Sequence, residues 1–243
     1  MHDAAISDRQ YRFSGHQTFA FRYGWLEKGV RAVSESPTVF SDEDALVRLG
    51  VGKNMVQSIR HWCTVAQLVE ADTEAGGRGG RTLRVTDIAS RLMLDGGWDP
   101  FLEDDASLWL IHWLMLSNQV IGTTWQVLFS LYHRPDFTRR ELVDYMSAFA
   151  KRRSHRVSEA SLGRDVDCFL RTYVPARGSA SEAHPEETFD CPLHSLRLIQ
   201  PSPDGELYGF SIGPKPTLPA PVVGFAICEY FDRIRSSQSA LSI

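Results

Sequence analysis

The order of local sequence signals in residues 41–91 constrains the fold more than any other feature of this chain. A short helix over residues 41–48, with Ser41 as its N-cap and acidic residues in its first turn, precedes a glycine break. A second helix over residues 53–70 follows, and then a Gly/Arg-rich hairpin over residues 76–85 and a closing helix. This order predicts a winged helix-turn-helix, an architecture that many DNA-binding proteins share.

The second helix of this segment has an apolar stripe and a polar face. Its apolar side chains recur at three- and four-residue intervals, which predicts that they lie in the core. They are Met55, Ile59, Trp62, Ala66 and Val69. The other side carries Lys53, Asn54, Gln57 and Arg60. Because Gln and Asn pair with adenine in a major groove and Arg pairs with guanine, these four side chains are predicted to bind DNA.

Glycines on both sides of Arg78 and Arg81 predict a flexible hairpin tip. Two guanidinium groups at such a tip suit contacts with phosphates or with a minor groove, so both arginines are predicted DNA-binding residues. An alternative stays open. Helix-turn-helix shapes also serve as protein-binding or purely structural modules, and a polar helix face is commonly just solvated.

A second set of signals lies in the C-terminal half of the chain. A buried helix is predicted over residues 124–132, and Thr138 is the predicted N-cap of a helix that continues over residues 139–150. The basic connector after this helix supplies three more predicted DNA-binding residues, which are Lys151, Arg152 and Arg153. These cations predict a second surface suited to phosphates.

A further helix begins at Ser158 or Ser161 and leaves Arg164 on its outer side as another predicted DNA-binding residue. Strands are then predicted at residues 196–200 and 207–212, joined by a Pro-Asp-Gly turn. Three helices followed by a hairpin again predict a winged-helix-like module.

Together these signals predict a mainly α fold with small β-hairpins, of the α+β class, built from tandem winged helix-turn-helix modules. The predicted divisions are an N-terminal segment that packs on the first module, the first module, acidic Trp-rich linking helices, a second module and a tail. Their bounds are residues 1–40, 41–91, 92–123, 124–232 and 233–243, in that order.

The net charge of −4 hides an uneven charge distribution. Residues 48–91 hold seven basic residues against four acidic ones, and residues 134–177 hold ten against six. Between them, residues 92–133 hold five acidic residues and no Lys or Arg. Because a local patch rather than the net charge governs attraction to phosphates, two nucleic-acid contact surfaces are predicted.

The N-terminal segment around residues 13–25 is rich in aromatic residues. Alternation at Phe19, Phe21 and Tyr23 favours a short strand that covers the core of the first module. A second interpretation makes His16, Arg22 and Tyr23 a catalytic site for phosphodiester cleavage. In it, His16 is the acid or base, Arg22 holds the phosphate and Tyr23 is the nucleophile.

Several classes of protein are disfavoured by the sequence. No apolar run approaches the roughly 20 residues that a membrane helix requires, and the polar N-terminus does not fit a secretory signal. The four cysteines are far apart and form no zinc or redox pair, so a reduced, cytoplasmic protein is expected. The spacing of ligand types predicts no metal site and no bound cofactor, and a divalent metal is expected only if DNA cleavage is intrinsic.

Four blocks of the sequence resemble a bacterial family long catalogued as of unknown function. These blocks, at residues 14–19, 49–56, 164–173 and 190–193, occur in order, and the resemblance spans about residues 13–232. Members of that family are encoded beside DNA phosphorothioation genes and include the SspB-like component of systems that replace a phosphate oxygen of DNA by sulfur in antiphage defence. No catalytic motif of the family carries over to this chain.

The resemblance implies a DNA-binding component that nicks DNA and works with cysteine desulfurase, ATPase and sulfur-transferase components. Double-stranded DNA is then the expected partner, and no membrane is expected. The competing interpretation is a non-catalytic winged-helix regulator or an assembly adaptor. The sequence leaves the oligomeric state open, including a homodimer.

Overall fold

The computed structural model describes residues 11–73, 82–175 and 191–239 of the chain. Its helices are α1 (Trp25–Glu35), α2 (Ala45–Leu49), α3 (Lys53–Val65), α4 (Asp87–Met93), α5 (Asp105–Ser117), α6 (Thr123–Ser130), α7 (Arg139–Arg152), α8 (Glu159–Tyr173) and α9 (Ala220–Ser239). Its strands are β1 (Val69–Ala71), β2 (Leu83–Val85), β3 (Asp136–Phe137), β4 (Ile199–Pro201) and β5 (Tyr208–Phe210). Two short 3-10 turns span Val39–Ser41 and Pro192–Leu196.

The architecture is mainly helical with two small antiparallel sheets, which confirms the predicted α+β class. In the two-stranded sheet β1 pairs with β2, and Glu70 lies opposite Arg84. In the three-stranded sheet β5 lies between β3 and β4, so that Gly209 faces Asp136 on one side and Gln200 on the other. The organisation of these elements as tandem winged helices stays a prediction.

Helix α3 stops at Val65, before its predicted end, because the chain turns sharply there. Gln67 adopts a left-handed conformation with a φ of 56°. Its N–H donates to the carbonyl of Thr64 at 3.1 Å, and the N–H of Leu68 donates to the carbonyl of Cys63 at 2.9 Å. These two bonds form a Schellman motif, whose left-handed position is usually a glycine, so the sequence pattern did not reveal it.

The side chain of Gln67 fixes this turn to two other helices. A left-handed backbone costs a residue with a Cβ about 1–2 kcal/mol, and hydrogen bonds of the side chain help to offset that cost. Its amide nitrogen donates to the carbonyl of Leu114 at 2.6 Å and to Ser117 Oγ at 2.7 Å. Its amide oxygen accepts from Arg233 at 3.2 Å. Helices α5 and α9 therefore hold the end of α3.

The short helix before α3 begins at Ala45, so the predicted N-cap role of Ser41 is wrong. Ser41 ends a 3-10 turn, in which its N–H donates to the carbonyl of Thr38 at 2.7 Å. The chain turns there because Val39 is fully buried. The predicted glycine break follows α2, where Gly50 takes a left-handed φ of 62°.

The N-terminal segment is not the predicted strand. Ser14, Gln17 and Thr18 all have positive φ angles, which an extended strand cannot contain. The segment forms a loop that ends at Gly24, and α1 follows it as a helix that the sequence analysis missed. Phe21 is 1% exposed and supports the expectation that this segment covers the core beside α3.

Local helix signals in the C-terminal half predicted its structure well. Thr138 caps α7 in a reciprocal capping box with Glu141, and Ser158 caps α8 by accepting from the N–H of Ser161. Strands β4 and β5 lie within the predicted hairpin, and Gly205 between them has a left-handed φ of 81°. The short strand β3 was missed, since two residues carry no periodic signal.

Helix α5, predicted as part of a linker, lies inside the protein. One apolar core extends from the N-terminal segment through α3, α5 and α8 to β4. His112 on α5 is a hydrogen-bonded interior histidine, with Nδ1 3.0 Å from Tyr173 Oη. Burial lowers the pKa of His112 to about 3, so its imidazole is neutral.

The close packing of α1 on α3 predicts opposite effects of two Gly→Ala substitutions. A Cβ at Gly29 would lie 2.4 Å from Cys63 Sγ and 2.9 Å from Ile59 Cγ2. We expect Gly29→Ala to lower the free energy of unfolding by about 1–3 kcal/mol through overpacking, although Ala is the better helix former. Urea titration monitored by circular dichroism measures the change.

Gly224→Ala is the matched control on α9. A Cβ at Gly224 meets no atom within 4 Å, so the substitution should leave stability unchanged or raise it by up to about 1 kcal/mol. Equal effects of the two substitutions would contradict the close contact between α1 and α3.

Candidate nucleic-acid interface

The polar face of α3 lies on the surface of the protein. Lys53, Asn54 and Gln57 are exposed, and Arg60 is half-buried. The opposite face packs inward, with Ile59 and Trp62 fully buried. The predicted separation of a core stripe from a polar face is therefore present. Arg78 and Arg81 of the predicted hairpin tip lie outside the described residues.

The N-terminal loop holds α3 in place through its backbone. Ser58 Oγ donates to the carbonyl of His16 at 3.0 Å, and Trp62 Nε1 donates to the carbonyl of Phe19 at 2.9 Å. Gly15 lies so close to the ring of His61 that a Cβ there would be 2.2 Å from His61 Nδ1. The loop thus covers one side of α3 in direct contact.

The same loop is bound to α8 through a buried carboxylate. Asp165 is 2% exposed and accepts hydrogen bonds from the N–H of Ser14 at 2.9 Å and from Ser14 Oγ at 3.2 Å. It also lies 2.9 Å from His16 Nε2 and accepts from Thr124 Oγ1 at 3.0 Å. These donors come from the loop and from α6. The carboxylate therefore joins the loop, α6 and α8.

The structure places the three predicted catalytic residues in different environments. His16 is 2% exposed; its Nδ1 accepts from the N–H of Thr18 at 3.0 Å and its Nε2 faces Asp165. The guanidinium of Arg22 lies over the ring of Trp25 at 5.4 Å, and Tyr23 is 51% exposed. Their joint catalytic role stays a prediction. The ring of His16 is buried and hydrogen-bonded at both nitrogens, which favours a positioning role for this residue.

The second basic surface lies beside the same N-terminal loop. Lys151 and Arg152 are exposed at the end of α7, and Arg153 lies over the ring of Phe149 at 5.8 Å. The N–H of Tyr11 donates to His155 Nε2 at 3.3 Å, which brings the start of the loop against this connector.

Arg164 lies on α8 where the loop crosses that helix. Its side chain is exposed, and it donates to Ser161 Oγ at 3.0 Å. Ser14 Oγ donates to the carbonyl of Ser161 at 3.5 Å. The N-terminal loop therefore touches α3, the α7–α8 connector and α8, and it links the two predicted basic surfaces.

A cleft of about 1740 Å³ runs along α3. At the end nearest the N-terminal loop, Arg12, Gln17, Gln57, Arg60 and Gln126 line it. Sequence analysis missed Arg12 and Gln126. The only sequence signal for Gln126 is that it interrupts an otherwise apolar stretch of α6, between Trp125 and Val127.

His61 lines the cleft as an uncharged aromatic ring. Burial, together with the neighbouring His16, lowers the pKa of His61 to about 3. Its Nε2 is buried and has no hydrogen-bond partner. The ring stacks edge-on against Trp62 with centroids 5.4 Å apart. His61 can therefore offer an aromatic surface to a ligand but no positive charge.

Three further observations concern possible metal ligands, the cysteines and the length of the helices. Within them no group of three or more His, Cys, Asp or Glu side chains is placed to hold a metal ion. Cys63, Cys168 and Cys191 are buried, and Cys228 is exposed. No helix in the described ranges is both long enough and apolar enough to cross a membrane.

Comparison with known proteins decides the family. The model of a family described as "Protein of unknown function (DUF4007)" matches residues 13–243. The chain belongs to the DUF4007 family. No match was found among curated proteins.

Two solved structures resemble this DUF4007 chain and identify it as SspB-like. An SspB crystal structure matches with a TM-score of 0.82 and 32% identity, covering 95% of this chain and 68% of that one. A magnesium ion-bound SspB crystal structure matches with a TM-score of 0.83 and 33% identity, covering 95% of this chain and 69% of that one.

The buried carboxylate predicts a large and specific effect of Asp165→Asn. An amide has one acceptor oxygen and turns N–H groups toward donors, so at least one of the bonds from Ser14, His16 or Thr124 is lost. We expect the free energy of unfolding to fall by about 2–4 kcal/mol, measured by urea titration.

Asp167→Asn is the matched control, two residues further along α8. Asp167 pairs with Arg139 at 2.5 Å in an exposed ion pair, which contributes about 1 kcal/mol or less. Similar losses in the two variants would show that Asp165 has no special role in joining the loop to α8.

Proposed function

We propose that this protein is the DNA-binding and DNA-nicking component of a bacterial DNA phosphorothioation system that acts in antiphage defence. In the cytoplasm it would work with cysteine desulfurase, ATPase and sulfur-transferase components. One observation carries the proposal. The chain resembles SspB over nearly its whole length, and it exposes cations and amides on α3 and beside the N-terminal loop.

The element order supports tandem winged helices as the DNA-binding device. Helices α2 and α3 are joined by a glycine turn and followed by the antiparallel pair β1–β2. In the C-terminal half, α6, α7 and α8 precede the strand pair β4–β5, and β3 adds to its edge. Both halves thus have helices followed by a small antiparallel sheet, which is the element order of winged-helix proteins.

The proposed binding mode assigns different tasks to different side chains. Asn54 and Gln57 contact bases, since amides match adenine, while Lys53 and Arg60 bind phosphates. The flanking backbone is held by Lys151, Arg152, Arg153 and Arg164. Arg78 and Arg81 hold a neighbouring phosphate. Sulfur insertion requires a strand opened at a chosen phosphate, so positioning is the contribution of this protein.

Nicking is proposed to involve the N-terminal loop. Tyr23 is exposed and is a candidate nucleophile, and Arg22 next to it can bind the phosphate. His16 is assigned to the positioning of this loop because its ring is bound by Asp165 and by the backbone of Thr18.

A second candidate function is that of an assembly adaptor or a non-catalytic DNA-binding regulator. A specific observation favours the adaptor. Helix α9 exposes five large apolar side chains, which suits contact with another protein. They are Val223, Phe225, Ile227, Tyr230 and Phe231.

A salt titration of duplex binding tests the proposal. Phosphate binding releases counterions, so log Kd should rise linearly with the logarithm of salt concentration. We expect Lys53→Ala to reduce the slope by about one, and Lys151→Ala with Arg152→Ala by about two. Fluorescence anisotropy with a labelled duplex measures both Kd and slope.

Arg235→Ala is the charge-matched control for this titration. Arg235 lies on α9, is paired with Asp232 at 2.6 Å and is not one of the proposed DNA-binding residues. Its removal should leave the slope unchanged. A wild-type affinity without salt dependence, or equal slopes in all variants, would favour the adaptor.

A plasmid assay tests the nicking activity separately. The purified protein is expected to convert supercoiled plasmid to the open circle, with reactions run with and without Mg²⁺. Tyr23→Phe removes only the hydroxyl and should reduce this rate by at least about a hundredfold if that oxygen is the nucleophile. Unchanged nicking by Tyr23→Phe would remove the proposed site, and absence of nicking by the wild type would favour the non-catalytic alternatives.

A further inference from the structure

The polar face of α3 is largely set into a concave surface. Gln57, Arg60 and His61 line the cleft, whereas Lys53 and Asn54 in the first turn lie outside it. A helix that enters a major groove must protrude from its surroundings to reach the base edges. Most of the α3 face is therefore shaped to receive a ligand between walls rather than to insert into a duplex.

Five glutamines line this cleft; the amide of Gln67 is bound to α5 and α9, and the other four come from four different segments. Gln17 belongs to the N-terminal loop, Gln57 to α3, Gln119 to the α5–α6 turn and Gln126 to α6. None of their side-chain amides donates to or accepts from another described residue. Each amide offers two N–H donors and one carbonyl acceptor, so these four side chains can all form hydrogen bonds with a ligand in the cleft.

The remaining lining groups suit a nucleotide. Arg12 is exposed beside Gln17 and supplies a permanent cation for a phosphate. His61 and Trp113 supply aromatic surfaces along the cleft, and bases stack on such surfaces in proteins that bind single strands. The lining therefore contains cation, amide and aromatic groups that match the phosphate, the edge and the face of a nucleotide, beside apolar side chains and the carboxylates of Glu70 and Glu229.

We infer that this cleft binds an unpaired nucleotide, either extruded from a duplex or carried by a single strand. The inference rests on the proposed DNA-binding function, and the unpaired nucleotide is the part of the DNA that this site binds. A paired base has already used its Watson–Crick edge, whereas an unpaired base presents donors and acceptors to side-chain amides. The volume of about 1740 Å³ exceeds the roughly 300–1,000 Å³ of a small-molecule pocket and leaves room for neighbouring nucleotides.

The inference gives the two regions of α3 separate tasks. Lys53 and Asn54 lie outside the cleft and contact the intact duplex, while the groups from Gln57 onward hold a nucleotide that has left the stack. A strand held open in this way exposes one backbone phosphate to chemistry.

Competition binding with three probes of one sequence tests the inference. The probes are a perfect duplex, the same duplex with a short internal bubble, and the single strand. The bases of the bubble are already unpaired, so binding does not have to supply the free energy of unpairing and unstacking them. The bubble should therefore bind about tenfold more tightly than the perfect duplex. Equal affinities of bubble and single strand identify a carried strand, and a preference for the bubble alone identifies an extruded nucleotide.

Gln119→Ala and Gln126→Ala test the cleft itself. Each should weaken binding of the bubble about three- to tenfold and weaken binding of the perfect duplex less. Gln200→Ala is the control, because it removes the same group from β4, outside the cleft. Neither cleft amide is hydrogen-bonded, so thermal unfolding of both variants should match that of the wild type.

The outcomes separate this inference from the proposed function. Salt-dependent duplex binding with no preference for the bubble would overturn the inference and leave the proposed function standing. A bubble preference that survives both Gln→Ala substitutions would also overturn it. Absence of binding to every probe would overturn the proposed function and the inference with it.

Discussion

The carboxylate of Asp165 is the interaction on which the arrangement of this surface depends. A buried charge is costly unless donors surround it, and here the donors come from the N-terminal loop and α6. The loop cannot move away without leaving that carboxylate unsatisfied. Because the loop also binds Ser58 and Trp62 through its backbone, the carboxylate of Asp165 connects α8 to α3 through the loop.

Features that depend on neighbouring residues in the sequence were predictable. The core stripe of α3, with Ile59 and Trp62 at its centre, follows from helical periodicity alone. Thr138 was identified as a cap, and Ser158 as one of two candidates, because a hydroxyl before an amphipathic helix satisfies free N–H groups whatever the rest of the fold does.

Features that depend on distant contacts were not predictable. Gln67 and the loop residues Ser14 and Thr18 adopt left-handed conformations that favour glycine, and tertiary hydrogen bonds stabilise the turn at Gln67. His16 looked like an acid or base from its neighbours, but it lies against Asp165 from the other half of the chain. The cleft also depends on distant contacts. Gln119 and Gln126 can be recognised as candidate binding residues only once the fold places them in the same cleft as α3.

Arg233 connects the exposed helix α9 to the C-terminal end of α3 by hydrogen bonds. Its guanidinium donates to Gln67 Oε1 and to both the Oγ and the carbonyl of Ser117. Helix α9 meanwhile turns apolar side chains such as Ile227 and Phe231 to solvent. Any molecule that pulls α9 outward also removes the hydrogen bond from Arg233 to Gln67. A partner bound to α9 would therefore act on the C-terminal end of α3.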